Sequence, residues 1–203
     1  MFKAIKGIVF LTLAAVLMLS CCLIRDHRTL RDELIRLHVV GQSNSEKDQS
    51  IKLSVRDAVL NILNEALNDL PDMEQAKQYI ASHLPQIEEA ANNALRKLGV
   101  DSKAVVSFLK EEFPSRDYDT FSLPSGIYQS LRVTIGEGEG RNWWCVVFPT
   151  LCMGASVSDV EEVAAGAGFS QELTDTITGQ KEYKIRFYLL DVLGRLENFF
   201  HRS

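Results

Sequence analysis

The stretch Gly136–Cys152 reads GEGEGRNWWCVVFPTLC. It follows an alternating run, Tyr128 to Ile135, in which Leu131, Val133 and Ile135 share one face and Ser130, Arg132 and Thr134 the other. Period-two alternation marks a half-buried strand. Trp143 to Phe148 reads as its partner strand, with the Gly136, Gly138, Gly140 segment as the hairpin turn or bulge between them, because glycine supplies positive φ without steric cost. In this register Trp143 and Trp144 point to opposite faces, one towards a core and the other free to anchor a partner or to cover a helix.

Working outward, residues 100–126 mix β-branched and aromatic residues with turn signals, including Phe113-Pro114 and Pro124-Ser125-Gly126. Before them lie two helical patterns. Ile51, Val55, Ala58, Val59, Ile62, Leu63, Ala66 and Leu70 recur at helical spacing, with Ser45 as N-cap and Lys52, Arg56 and Asp57 off the stripe. Asp72 can cap a second helix that ends at Gly99, with Pro85 predicting a kink or two shorter helices. The two pack as an antiparallel hairpin. Leu37-His38-Val39-Val40 reads as a short buried strand closed by a turn at residues 41–45. After the Trp pair the pattern returns to helices. Ser158 and Ser170 are candidate caps, and a last helix from Tyr183 to Phe200 places Ile185, Tyr188, Leu189, Val192, Leu196, Phe199 and Phe200 in phase as its core face. The fold class is α+β: a single domain with a central antiparallel sheet covered by the N-terminal helical hairpin and the C-terminal helices.

Residues 1–24 form a leader. Lys3 and Lys6 precede an apolar run, as in a secretory signal; Gly7 to Ile24 is also long enough to remain as an anchor. Leu19-Ser20-Cys21 matches a lipoprotein cleavage site only faintly. Basic residues at the start place residues 25–203 outside the cytoplasm. The chain of 203 residues carries net charge −5, and −7 without Lys3 and Lys6. An acidic domain is a poor phosphate-backbone binder, which argues against nucleic acid. Cys145 and Cys152 form an even pair in an oxidising compartment and read as one short-loop disulfide; two buried thiols are the alternative.

Motifs for common enzymes are missing: no G-x-S-x-G, H-E-x-x-H, C-x-x-C or P-loop occurs. Glu137 and Glu139 would repel a pyrophosphate from the glycine run. His27, His38, His83 and His201 show no metal-ligand spacing, so no metal, cofactor or catalytic residue is assigned. A thiol nucleophile, Cys145 or Cys152 with His38, could form only in space and only without the disulfide.

Two stretches together resemble the stage II sporulation protein R family. The first runs from His38 through Ser45, Asp48, Gln49 and Lys52 to Arg56 and Asp57. The second comprises Arg132, Gly136, Glu137, Gly138, Gly140, Asn142, Trp143, Trp144 and Cys145, then Phe148-Pro149 and Cys152. The resemblance implies an exported, non-enzymatic sporulation signal. It would pass from the forespore to the intermembrane space and activate a membrane-embedded aspartic protease, which then processes the precursor of mother-cell sigma factor E. The partner would be that protease's extracytoplasmic face, with the membrane touched only through the N-terminal segment. Candidate contact residues are Arg132, Gly136, Glu137, Gly138, Gly140, Arg141, Asn142, Trp143 and Trp144. The family commonly has an acid where this chain has Asn44, which fits a turn and cap role there rather than a catalytic carboxylate. An exported hydrolase or cell-wall-acting enzyme with a non-local site is the alternative.

Overall fold

A computed structural model describes residues 2–68, 70, 72–151, 156–179 and 184–201. Helix α1 (Phe2–Asp32) spans the apolar N-terminal segment and continues unbroken beyond it. Strand β1 (Ile35–Val40) follows, two residues earlier than the apolar pattern suggested. Next come α2 (Glu46–Leu67), α3 (Met73–Ser82) and α4 (Leu84–Lys97). The strands β2 (Ala104–Phe113), β3 (Arg116–Asp117), β4 (Ser122–Leu123), β5 (Gly126–Ile135) and β6 (Asn142–Phe148) fill the middle. The chain closes with α5 (Val157–Gly166), α6 (Gln171–Ile177) and α7 (Lys184–His201).

The α+β class and its layering hold. One sheet face packs on α2, α3 and α4, through Ile35, Leu37, Val39, Leu131, Val133 and Val147 against Val55, Val59, Leu63, Ile80 and Ile87. The other packs on the end of α1 and the C-terminal helices, through Phe113, Tyr128 and Val146 against Leu30, Leu34, Val160, Leu173, Ile177 and Leu190. Ser45 caps α2 by accepting from the Asp48 amide, and Asp72 caps α3 by accepting from Gln75. The second predicted helix is two helices meeting at His83, with Pro85 in the first turn of α4, where its missing N–H costs nothing.

Strand pairing departs from the sequence expectation. The sheet order is β2-β5-β1-β6, with β1 parallel to β5 and antiparallel to β6. The sheet is therefore mixed, and β5 and β6 are not hairpin partners. All six residues of β1 are buried, Arg36 and His38 included, as a strand flanked on both sides and covered on both faces must be. The 136–141 segment is thus a crossover that passes over the end of β1. Its glycines make that passage possible. The Gly140 amide donates to the Gly41 carbonyl at 2.8 Å, and the Glu139 amide to Gln42 at 3.2 Å. A Cβ on Gly140 would collide with the Gly41 and Ser43 carbonyl oxygens, and one on Gly138, at φ +69°, with the Thr134 methyl.

Two further corrections concern the C-terminal helices. Ser156, not Ser158, caps α5, because Asp159 stands three residues on and completes a capping box with it. The apolar stripe of α7 does not face the core. Leu190, Asp191 and Gly194 are the residues it buries. The Asp191 carboxylate accepts from the Ser125 amide at 2.9 Å and the Ser125 hydroxyl at 2.7 Å. That polar attachment, on the opposite side of the helix, decides which face turns inward. Tyr183 and Cys152 lie outside the described residues, so the predicted start of the last helix and the Cys145–Cys152 pairing do too.

Replacing Gly140 with Ala is expected to destabilise the fold by about 2 kcal/mol or more, read as a lower urea midpoint. An exposed hairpin turn would tolerate it within about 0.5 kcal/mol.

Candidate functional site

Each face of the sheet beside the crossover carries one tryptophan. On the α2 face, Trp143 lies under the Arg56 guanidinium, 4.3 Å from the ring centre, and Arg56 pairs with Asp57. Lys52, expected off the apolar stripe, is buried at 4% exposure. Its ammonium donates to Gln49 Oε1 at 2.7 Å and to the Arg141 carbonyl at 2.9 Å, while the Gln49 amide donates to the Ser43 carbonyl at 2.8 Å. Burial, with Arg141 and Arg56 nearby, pulls the Lys52 pKa down from its ordinary value. The Ser43 hydroxyl reaches Asp48 at 2.5 Å. His38 apart, which lies on the opposite face, the first family stretch is therefore a socket: Ser45 and Asp48 fix the start of α2, Gln49 joins the Ser43 carbonyl to Lys52, and Lys52 holds the crossover down on it. Asn44 is exposed in the turn beside the cap.

On the other face Trp144 stacks on His38, ring centres 3.7 Å apart, and meets Phe113 edge-on. The His38 imidazole lies between Glu111, 3.1 Å from Nδ1, and Asn142, 2.9 Å from Nε2. Glu111 also accepts from the Ser130 hydroxyl at 2.5 Å and from Arg132 at 3.2 Å. Burial alone would raise the Glu111 pKa. The hydrogen bonds from His38 and Ser130 and the charges of His38 and Arg132 outweigh it, so the carboxyl sits below its usual range. Deeper still, Arg36 is fully buried, donates to the Tyr118 hydroxyl at 2.7 Å, and lies 4.3 and 4.9 Å over the Phe113 and Tyr128 rings. Its Nε and Nη1 find no hydrogen-bond partner among the described residues.

The predicted site residues thus divide by role. Gly136, Gly138 and Gly140 are spacers over the end of β1. Arg132 serves the partly buried Glu111. Trp143 and Trp144 are half-buried, one in each layer. Glu137, Arg141 and Asn142 are exposed along the crossover. Beside them a groove of about 430 Å³ opens between β6 and the β3–β4 ribbon, lined by Asn142, Trp144, Arg116, Asp117 and Tyr118 among others. Glu111, Arg36 and Tyr118 were missed. Glu111 carried no signal, since an acid in a strand reads as a solvated position. Arg36 follows a charged run in the sequence, which masks its place in the strand between Ile35 and Leu37.

Fold and site together define an α+β domain led by an apolar helix of signal or anchor type, with a clamped crossover that carries its most distinctive side chains. The family model described as stage II sporulation protein R matches residues 31–158. The chain is 33% identical over 156 residues to the stage II sporulation protein R of Bacillus subtilis (strain 168), an alignment covering 74% of this chain and 70% of that protein. It belongs to the stage II sporulation protein R family. No solved structure matches it.

The depressed Glu111 pKa sets a sign for acid sensitivity. Its ionised form is bonded in the folded state, so this stabilisation is complete above the unfolded-state pKa, about 4.3, and is lost as pH falls through the lower folded value. Glu111→Gln is expected to cost about 1–3 kcal/mol at pH 7 and to flatten the loss of stability between about pH 5 and 3, measured by urea titrations at each pH.

Proposed function

We propose that this chain is the exported signal implied by its family. Residues 1–24 direct or anchor it, and residues 25–203 act across the forespore membrane in the intermembrane space. There the domain activates a membrane-embedded aspartic protease, which processes the precursor of mother-cell sigma factor E. The protease supplies the catalysis; this chain supplies binding energy that favours the protease's active state, which requires tighter binding to that state than to the resting one. The observation that carries this reading is the exposed rim of Arg141 and Asn142 on a base held by Lys52, beside the groove at Trp144. A segment whose backbone is already fixed pays only the side-chain part of the ordering entropy on binding. A Cys145–Cys152 disulfide would tie the middle of β6 to the chain that follows and stiffen the same strand.

A second reading, an exported cell-wall hydrolase, draws on the His38–Glu111 pair, since a carboxylate on Nδ1 is how many general bases are oriented. On that reading the purified chain alone would release soluble fragments from peptidoglycan, and His38→Gln would abolish the release.

Co-expression of this chain with the protease and the sigma precursor in a heterologous host is expected to yield processed sigma factor. Arg141→Ala is expected to lower processing about tenfold, as for a contact worth about 1.4 kcal/mol, with the unfolding midpoint unchanged. Processing that proceeds without this chain, or that Arg141→Ala and Trp144→Ala both leave intact, contradicts the proposal.

A further inference from the structure

The apolar stripe of α7 is the largest feature that the signalling reading does not absorb. Ile185, Tyr188, Phe199 and Phe200 are 75%, 65%, 64% and 72% exposed, and Leu189 and Leu196 lie exposed between them. These residues follow helical spacing and form one face. The opposite face is the one that docks: a Cβ at Gly194 would collide with the Ser125 carbonyl oxygen, and Asp191 is bonded to Ser125. A stripe of this size on a soluble domain marks something that covers it.

The contacts of α7 with α1 show where the stripe lies. Arg186 pairs with Asp26, while Glu197 lies 3.8 Å from His27 and 2.8 Å from Arg31. Arg186 and Glu197 are separated by roughly 16 Å of helix, yet they reach adjacent positions on α1. Helix α7 therefore crosses α1 at this short stretch, residues 26–31. The crossing falls immediately after the apolar segment of α1, which is long and apolar enough to cross a membrane and whose side chains up to Ile24 are largely exposed. Exposed cations stand on both helices, Arg25 and Arg28 on α1 and Lys184 and Arg195 on α7, in a chain whose net charge is −5, with Arg195 paired to Asp191. An apolar face with aromatic residues, bordered by Lys and Arg, is the composition of a helix that lies in a lipid interface.

We propose that α7 is an interfacial membrane helix. Its Ile185–Phe200 stripe rests on the anionic lipid surface from which α1 emerges, so the domain meets the membrane at two places and is held in a fixed orientation to it. This goes beyond contact through the N-terminal segment alone. It rests on α1 bringing the domain to the bilayer and is independent of the identity of the protease.

Photo-crosslinking in reconstituted vesicles tests it without the protease or the sigma precursor. The full chain is placed in phosphatidylcholine–phosphatidylglycerol vesicles that contain radiolabelled lipid. Separate variants carry p-benzoylphenylalanine at Tyr188, at Phe199 and, as a control on the exposed face of α4, at Glu89. Circular dichroism checks that each variant is folded. Lipid adducts at positions 188 and 199, several-fold above the yield at 89, are the expected result. A crosslinked dimer in place of lipid adducts would assign the stripe to a second copy and overturn the proposal. Lipid yields at 188 and 199 no higher than at 89 would overturn it as well.

Discussion

The crossing of the 136–141 segment over the end of β1 is the constraint on which the rest of the structure depends. Strand β1 must be central, because all of its side chains are buried, and a central strand between β5 and β6 forces their connection to pass over its end. That connection is short, so backbone meets backbone: Gly140 bonds to Gly41, and Glu139 to Gln42. Only residues without a Cβ fit where carbonyl oxygens come that close. The buried Lys52 ammonium then holds the Arg141 carbonyl from the α2 side. A charge-assisted hydrogen bond of this kind contributes about 1.5–3 kcal/mol, and it joins α2 to the crossover at the residue just before β6.

Several features follow from this one passage. Strand β6 leaves the crossover with Trp143 on one face and Trp144 on the other, so each layer receives one ring. Trp144 shields His38, and His38, Glu111, Ser130 and Arg132 form a polar layer inside the second face, where sheet and C-terminal helices would otherwise meet through apolar side chains alone. A buried polar layer with its groups bonded favours one packing arrangement over its alternatives. The same passage leaves Arg141 and Asn142 exposed on a fixed backbone, and it is on that combination, exposure with rigidity, that the proposed partner contact rests.

Much of this was legible in the sequence, for reasons that can be named. The faces of β5 were readable because alternation is a local property, and the caps at Ser45 and Asp72 because a cap needs only a residue and a neighbouring amide. The hairpin between β5 and β6 was the natural reading of two adjacent strands joined by glycines, and it was wrong. A third strand supplied from nearly a hundred residues earlier leaves no trace in the local pattern. His38 and Glu111 meet across a 73-residue separation with the same lack of warning. The α7 stripe shows the complementary limit. Periodicity located the apolar face correctly but not what covers it, and here Ser125, Asp191 and Gly194 turn that face outward.

Amide hydrogen exchange of the crossover, measured residue by residue in the folded chain, tests the central claim most directly. The account predicts that the amides of Glu139 and Gly140, bonded to Gln42 and Gly41, exchange slowly, with protection approaching that of β1, and that Lys52→Ala selectively weakens it. Exchange of both amides at the unprotected rate, as at the tip of a two-strand hairpin, would contradict it.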